Sequence, residues 1–190
     1  MGAPAPGHAR PPRASRRDRL GEGFFGLGER GRPRGGQKTG PNPTDKGKSG
    51  SKRHVVVDRN GVPLAVIHTA ANVHDSKVIE EVVDAIRAIR KPHRGRPRKR
   101  PRKLHADKGY DFPRCREALR KRGIIPRIAR RGIESSERLG RHRWVVERTH
   151  SWLNRFRRLK IRYERRADIH QAFLELGCAL IRWRRVEKFC

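Results

Sequence analysis

Two β-branched runs flank an Asn-Gly pair in this chain: HVVVD (His54 to Asp58), then Arg59-Asn60-Gly61, then PLAVIHT (Pro63 to Thr69). Asn-Gly supplies the positive φ values of a tight turn, and β-branched side chains suit a pleated surface. The segment therefore predicts a β-hairpin and excludes an all-helical fold. Behind Ser76, a capping residue, Val78, Ile79, Val82, Val83, Ile86 and Ile89 recur at helical spacing until Lys91-Pro92 ends the run. A brief strand is expected from Lys103 to Ala106, ending at Asp107. Pro113 opens a helix that Gly123 closes, and Ile124 to Ile128 predicts another strand. Two amphipathic helices, about 141–159 and 168–188, finish the chain. Strands alternating with helices predict an α/β or α+β domain.

The first part of the chain reads differently. Gly, Pro, Arg and Ser dominate it, with one apolar cluster at Phe24, Phe25 and Leu27. Such a segment cannot bury enough surface to offset the entropy of ordering it. Residues 1–49 are thus expected to be a disordered basic segment and 50–190 the folded domain, a length that suits one core. The 49 Lys and Arg against 19 Asp and Glu leave a net charge of +30, which implies a polyanionic partner. Three Cys, odd in number and far apart, support neither a disulfide framework nor a zinc knuckle and fit a reducing cytoplasmic setting. With no long apolar run and no signal-type leader, neither a membrane partner nor secretion is expected.

Two carboxylates stand out. Asp107 follows an apolar strand and precedes the turn Lys108-Gly109-Tyr110-Asp111, at the kind of sheet edge where α/β folds place ligands. Glu147 shares a helix face with Arg143, His150 and Asn154, opposite Trp144, Val145, Trp152 and Phe156. Each has a plainer reading: strand-terminal Asp residues often cap turns, and Glu among Arg residues often makes i,i+4 ion pairs. The loop His93 to Lys103 carries Arg94, Arg96, Arg98, Lys99 and Arg100. Its Arg94-Gly95-Arg96-Pro97 is similar to the core of a minor-groove AT-hook, although phosphate contact without sequence preference is the simpler reading. Trp152, Trp183 and Phe173 fall at core spacing, and Cys115 and Cys178 are expected to be buried.

Several long motifs occur together and in order: GPNPTDKGKSGSKRHVVVDRNGVPLAV (Gly40 to Val66), ANVHDS (Ala71 to Ser76), LHADKGYD (Leu104 to Asp111), IARRGIES, and HRWVVERTHSWLNRFRRLKIRYERRADIHQAFLELGCALIRWRR. Over about residues 37–188 the chain resembles bacterial insertion-sequence transposases of the DDE class, insertion sequence five group. The resemblance implies an RNase H-like mixed sheet flanked by helices. It also implies three carboxylates holding two divalent ions, Mg²⁺ or Mn²⁺, for cleavage and strand transfer at transposon ends. By that resemblance Asp107 is the second carboxylate and Glu147 the third, both catalytic and metal-binding. Arg143, Arg155 and Arg157, with the loop cations, would contact DNA.

Where the family has an apolar strand ending in the first Asp, this chain reads EGFFGLGERGRPRGGQKTG. Asp18 lies in a polar basic stretch, Asp45 in a Pro/Gly loop, and Asp58 is expected to be a turn residue. The helix around Glu147 also has Gly140 where the family often has Tyr and Asn154 where it often has a basic residue. The expectation is therefore a domain lacking its first core strand, with two unpaired sheet edges and marginal stability. It would be a truncated or frame-split transposase, inactive alone, in the cytoplasm at the nucleoid. Its partners would be DNA, an upstream transposase fragment and a second copy of itself. The alternative is a non-enzymatic basic nucleic-acid-binding protein.

Overall fold

Strand β1 (Glu22–Gly31) runs between two neighbours in a six-stranded sheet, in the segment where the sequence predicts disorder. The computed structural model describes residues 21–31, 36–43, 46–89, 97–132 and 136–187; for Leu27, Glu29 to Gly31 and 136–143 it describes the backbone alone. The other strands are β2 (Gly40–Pro41), β3 (Ser49–Asp58), β4 (Pro63–Ala70), β5 (Lys103–Ala106) and β6 (Ile125–Ile128). β3 and β4 form the expected hairpin, with Gly61 at φ 76° in its turn. On its other side β3 pairs antiparallel with β1, from Gly23↔Asp58 to Gly31↔Gly50. β1 in turn pairs parallel with β5, which pairs parallel with β6. β2 extends the β4 side of the hairpin by pairing with the start of β3.

The expected loss of the first core strand is therefore corrected: Glu22–Gly31 is that strand, and the two edges expected to be open are paired through it. The folded region likewise begins at β1 rather than at residue 50. Four of the ten β1 residues are glycines, which argues against a strand on propensity alone. Tertiary context overrides that weak preference, because both edges of β1 are hydrogen-bonded and Phe24 and Phe25 bury on opposite faces. Residues 1–20 of the predicted disordered segment lie outside the described residues.

Two helical layers cover the sheet. On one face α1 (Ile79–Asp84) and α2 (Pro113–Lys121) enclose Phe25, Val56, Ile67, Leu104 and Ala106. On the other, α3 (Ser136–Asn154) and α5 (Ala167–Glu187) enclose Phe24, Val55, Val57 and Val66. Between these two lies the single turn α4 (Arg157–Lys160). The alternation of Val55, Val56 and Val57 between the two cores is the period-2 geometry of a strand buried on both faces. The helix predicted from Ser76 is shorter than its apolar spacing suggests: a 3₁₀ turn (Asp75–Lys77) precedes α1, and Ile86 stays buried beyond the helix end. The helix predicted over 141–159 instead starts at Ser136 and breaks after Asn154. Cys115 and Cys178 are buried and unbridged.

Arg162, 1% exposed, fastens the segment before the hairpin. Its guanidinium donates to the Gln37 carbonyl at 2.7 Å, to the Lys38 carbonyl at 3.0 Å and to Ser51 Oγ at 2.5 Å, and its Nε donates to the Glu164 carbonyl. A buried cation is tolerable here because every donor direction used ends on an oxygen.

Candidate active site

Asp107 is exposed at the end of β5, where its extended backbone caps a 3₁₀ turn (Lys108–Tyr110) and its Oδ1 accepts from the Gly109 amide. Beneath it Tyr110 is buried edge-on to Phe25, ring centroids 4.6 Å apart. Burial pushes the Tyr110 phenol well above its ordinary range, and the negative charges of Asp75 and Asp107 add to the effect. So the turn after β5 is held by an aromatic anchor below and by the carboxylate above.

The parallel register sets what lies beside Asp107. Glu22, Gly23 and Phe24 pair with Lys103, Leu104 and His105. Continued by two residues, that register brings Gly26 level with Asp107. Phe24 stacks on His105 with centroids 4.8 Å apart and belongs to the core beneath α3, so strand alternation turns Gly26 and Gly28 to the same face. There α3 crosses β1 closely. A Cβ on Gly26 would collide with Val146 Cγ1 and stand 3.0 Å from Val146 Cβ, and one on Gly28 would stand 2.8 Å from His150 Nδ1. Glu147, the residue after Val146, is exposed. Asp107 is thus level with Gly26, on which α3 packs Val146, the neighbour of exposed Glu147.

The transposase DDE domain family model matches residues 28–182. The chain belongs to the DDE transposase family. A Burkholderia cepacia protein named "Putative transposase for insertion sequence element IS402" is 60% identical over 153 residues, 80% of this chain and 70% of that protein. Among solved structures, a chain of the simian T-cell lymphotropic virus intasome in complex with PP2A regulatory subunit B56 gamma matches with a TM-score of 0.55 at 15% identity. The match covers 92% of this chain and 53% of that one, so the transposase domain spans about half its length. The catalytic core domain of BIV integrase matches at TM-score 0.44 and 14% identity, covering 84% of this chain and 81% of that one. The fold of this DDE transposase domain is an RNase H-like mixed sheet flanked by helices, and its family works in DNA transposition.

The family is a divalent-metal family, but the described residues of this DDE domain do not by themselves form a two-ion site. Two hard cations about 3.5–4 Å apart require several converging oxygens. Among the described residues no group of three or more His, Cys, Asp or Glu could hold a metal ion. Asp58, 1% exposed, accepts from the Asn60 and Val62 amides at 2.8 Å each and is the turn residue its position predicts. Asp75 pairs with Lys52 at 3.0 Å.

The polar face expected on α3 is split by the structure. His150 is buried, Asn154 Oδ1 accepts from fully buried Arg53 at 2.7 Å, and Thr149 donates to the Gly61 carbonyl at 2.6 Å. His150 and Asn154 therefore face the sheet, while Glu147 sits at the rim. Trp144, read as part of the apolar side, is 49% exposed, and Trp183 is 64% exposed. The Arg148 guanidinium lies 4.3 Å from the Trp144 ring centre and 5.0 Å from that of Trp152, with Arg185 4.8 Å from Trp152. This ladder of cations and rings had no signal beyond Arg and Trp recurring four residues apart.

Of the predicted DNA-contacting cations, Arg98, Lys99, Arg100, Arg155 and Arg157 are exposed. Arg100 lies 3.9 Å from Asp84 and donates to the Arg122 carbonyl. Arg94 and Arg96 lie outside the described residues, and the side chain of Arg143 is likewise undescribed. No helix among the described residues is long and apolar enough to cross a membrane.

Proposed function

We propose that the chain binds transposon-end DNA through its exposed cations, with Asp107 and Glu147 as the second and third carboxylates of the family's site, and that alone it does not cut that DNA. The observation that carries this reading is the place of Asp107 at the C-terminal end of β5, on the same face of β1 as the helix bearing Glu147. Mg²⁺ or Mn²⁺ is the ion such a carboxylate set would take, since hard cations prefer oxygen ligands. Two carboxylates leave one ion under-ligated, so binding outlasts cleavage in this chain.

The wider setting of this reading is the cytoplasm at the nucleoid, which a net charge of +30 favours. Its protein partner is a second copy of the chain. For the second copy, α5 offers a solvent-facing apolar stripe of Ile169, Leu176, Leu180 and Trp183.

The non-enzymatic reading shares the DNA contacts but not the preference for transposon ends. The test is a binding and nicking assay on duplexes with and without the element's terminal repeats, with Mg²⁺ and Mn²⁺. Preferred binding to the repeats without nicking is expected. Equal binding to both duplexes favours the basic-protein reading, and nicking that disappears in Asp107→Ala or Glu147→Ala overturns the inactivity.

A further inference from the structure

We propose that Gly26 occupies the place of the missing carboxylate, so that one side chain, and no missing segment, separates this fold from a divalent-cation site; this rests on the reading that Asp107 and Glu147 are the other two ligands. The strand itself is present and paired on both edges. Among the β1 positions on this face whose side chains are described, Glu22 lies at the far end beside Lys103 and Phe24 is a core side chain stacked on His105, which leaves Gly26 and Gly28. Gly26 is level with Asp107, and neighbouring strands lie about 4.8 Å apart, a spacing at which two carboxylates can share one cation. Gly28 lies two residues, about 6.6 Å, further along, against His150 rather than beside the helix turn that carries Glu147. The family match, which begins at Gly28, covers Asp107 and Glu147 but stops short of Gly26.

The packing shows what the glycine changes. Without a Cβ at position 26, the Val146 side chain fills the space a side chain there would use. A carboxylate there must displace Val146 Cγ1, and once in place it stands close to the Asp107 charge. Like charges at that distance repel unless a cation lies between them. A substituted chain should therefore be weakened without metal and restored by it, and this is readable without any catalytic assay.

The experiment uses the full 190-residue chain and Mn²⁺ alone as the probe, with free Mn²⁺ followed by electron paramagnetic resonance and Tm followed in parallel. The variants are Gly26→Asp, Gly26→Asp/Val146→Ala, which removes the colliding methyl, Gly28→Asp, and Gly26→Asp with Asp107→Asn or Glu147→Gln. The unsubstituted chain should show no saturable binding. Gly26→Asp or its Val146→Ala companion should gain saturable binding and a Mn²⁺-dependent rise in Tm, and Asp107→Asn should weaken that binding about tenfold or more. A Gly26→Asp chain that folds only with Mn²⁺ also supports the proposal. It is overturned if Gly28→Asp gains as much, if the unsubstituted chain binds equally well, or if both Gly26 variants fold without gaining Mn²⁺ binding or fail to fold even with Mn²⁺. A gain that ignores both Asp107→Asn and Glu147→Gln instead defeats the reading of those two residues as ligands.

Discussion

The Phe24 ring lies stacked on His105 across the parallel pair β1–β5, centroids 4.8 Å apart and planes 20° from parallel. The contact joins residues far apart in sequence, so β1 belongs to the same cooperative core as the strand ending at Asp107. Phe24→Ala should lower stability by about 3–5 kcal/mol, the range for deleting a buried aromatic ring. Urea unfolding checks it, and an unchanged midpoint would show that β1 contributes nothing to the core.

Arg162 is the second test of how the first part of the chain is held. Arg162→Ala strips the guanidinium donor from the Gln37 carbonyl and from Ser51 Oγ, while the Lys38 carbonyl keeps its bond from Ser51 Oγ; each group left buried and unpaired costs about 1–3 kcal/mol. Limited proteolysis should then cut near Gln37 while the hairpin remains protected. Cleavage at the same sites and rate as in the parent chain would refute the anchoring role.

Three buried histidines set an acid limit. Burial, then the charges of Lys52 and His68, holds His54 down to about 3; burial, opposed by its bond to Gln171, holds His68 down to about 4. His170 is held to about 4 by burial and by the charges of His68 and Arg162. All three titrate near 6.5 when unfolded, so below that pH the unfolded chain binds more protons than the folded one. Stability is therefore full above pH 6.5 and falls as pH drops towards 4, then on towards 3 for His54. Denaturant midpoints across this range should show the decline, and a flat profile would exclude protonation of these rings as a source of unfolding.

DNA affinity should drop steeply with salt. Each phosphate contact removed lowers the slope of log affinity against log salt by about 0.9. Replacing Arg98, Lys99 and Arg100 together by Gln should flatten the slope by up to about three such steps, as should replacing Arg155 and Arg157 by up to about two. Filter binding at several salt concentrations decides which set touches DNA.

Self-association through α5 is tested at Leu176, which is 55% exposed at the middle of the apolar stripe. Leu176→Glu should turn a concentration-dependent dimer into a monomer by light scattering, with Tm at low concentration unchanged. A parent chain that is monomeric at all concentrations would remove this surface from consideration.

Much of the outcome follows from sequence order alone. The β-branched hairpin, the apolar run before Asp107, the helical spacing around Glu147 and the excess of Arg all carry local signals, because backbone preference and side-chain period act over a few residues. The tertiary structure decided the rest. A strand with glycine at four of ten positions has no local preference for being one; β1 exists because β3 and β5 pair with both its edges and two cores bury Phe24 and Phe25. Helical spacing places His150 and Asn154 on a face with Glu147 but not that face against the sheet; the close approach of α3 to Gly26 and Gly28 turned both residues inward and left Glu147 at the rim. Which residue stands beside Asp107 depends on the register between strands about eighty residues apart, a long-range pairing that no local pattern encodes.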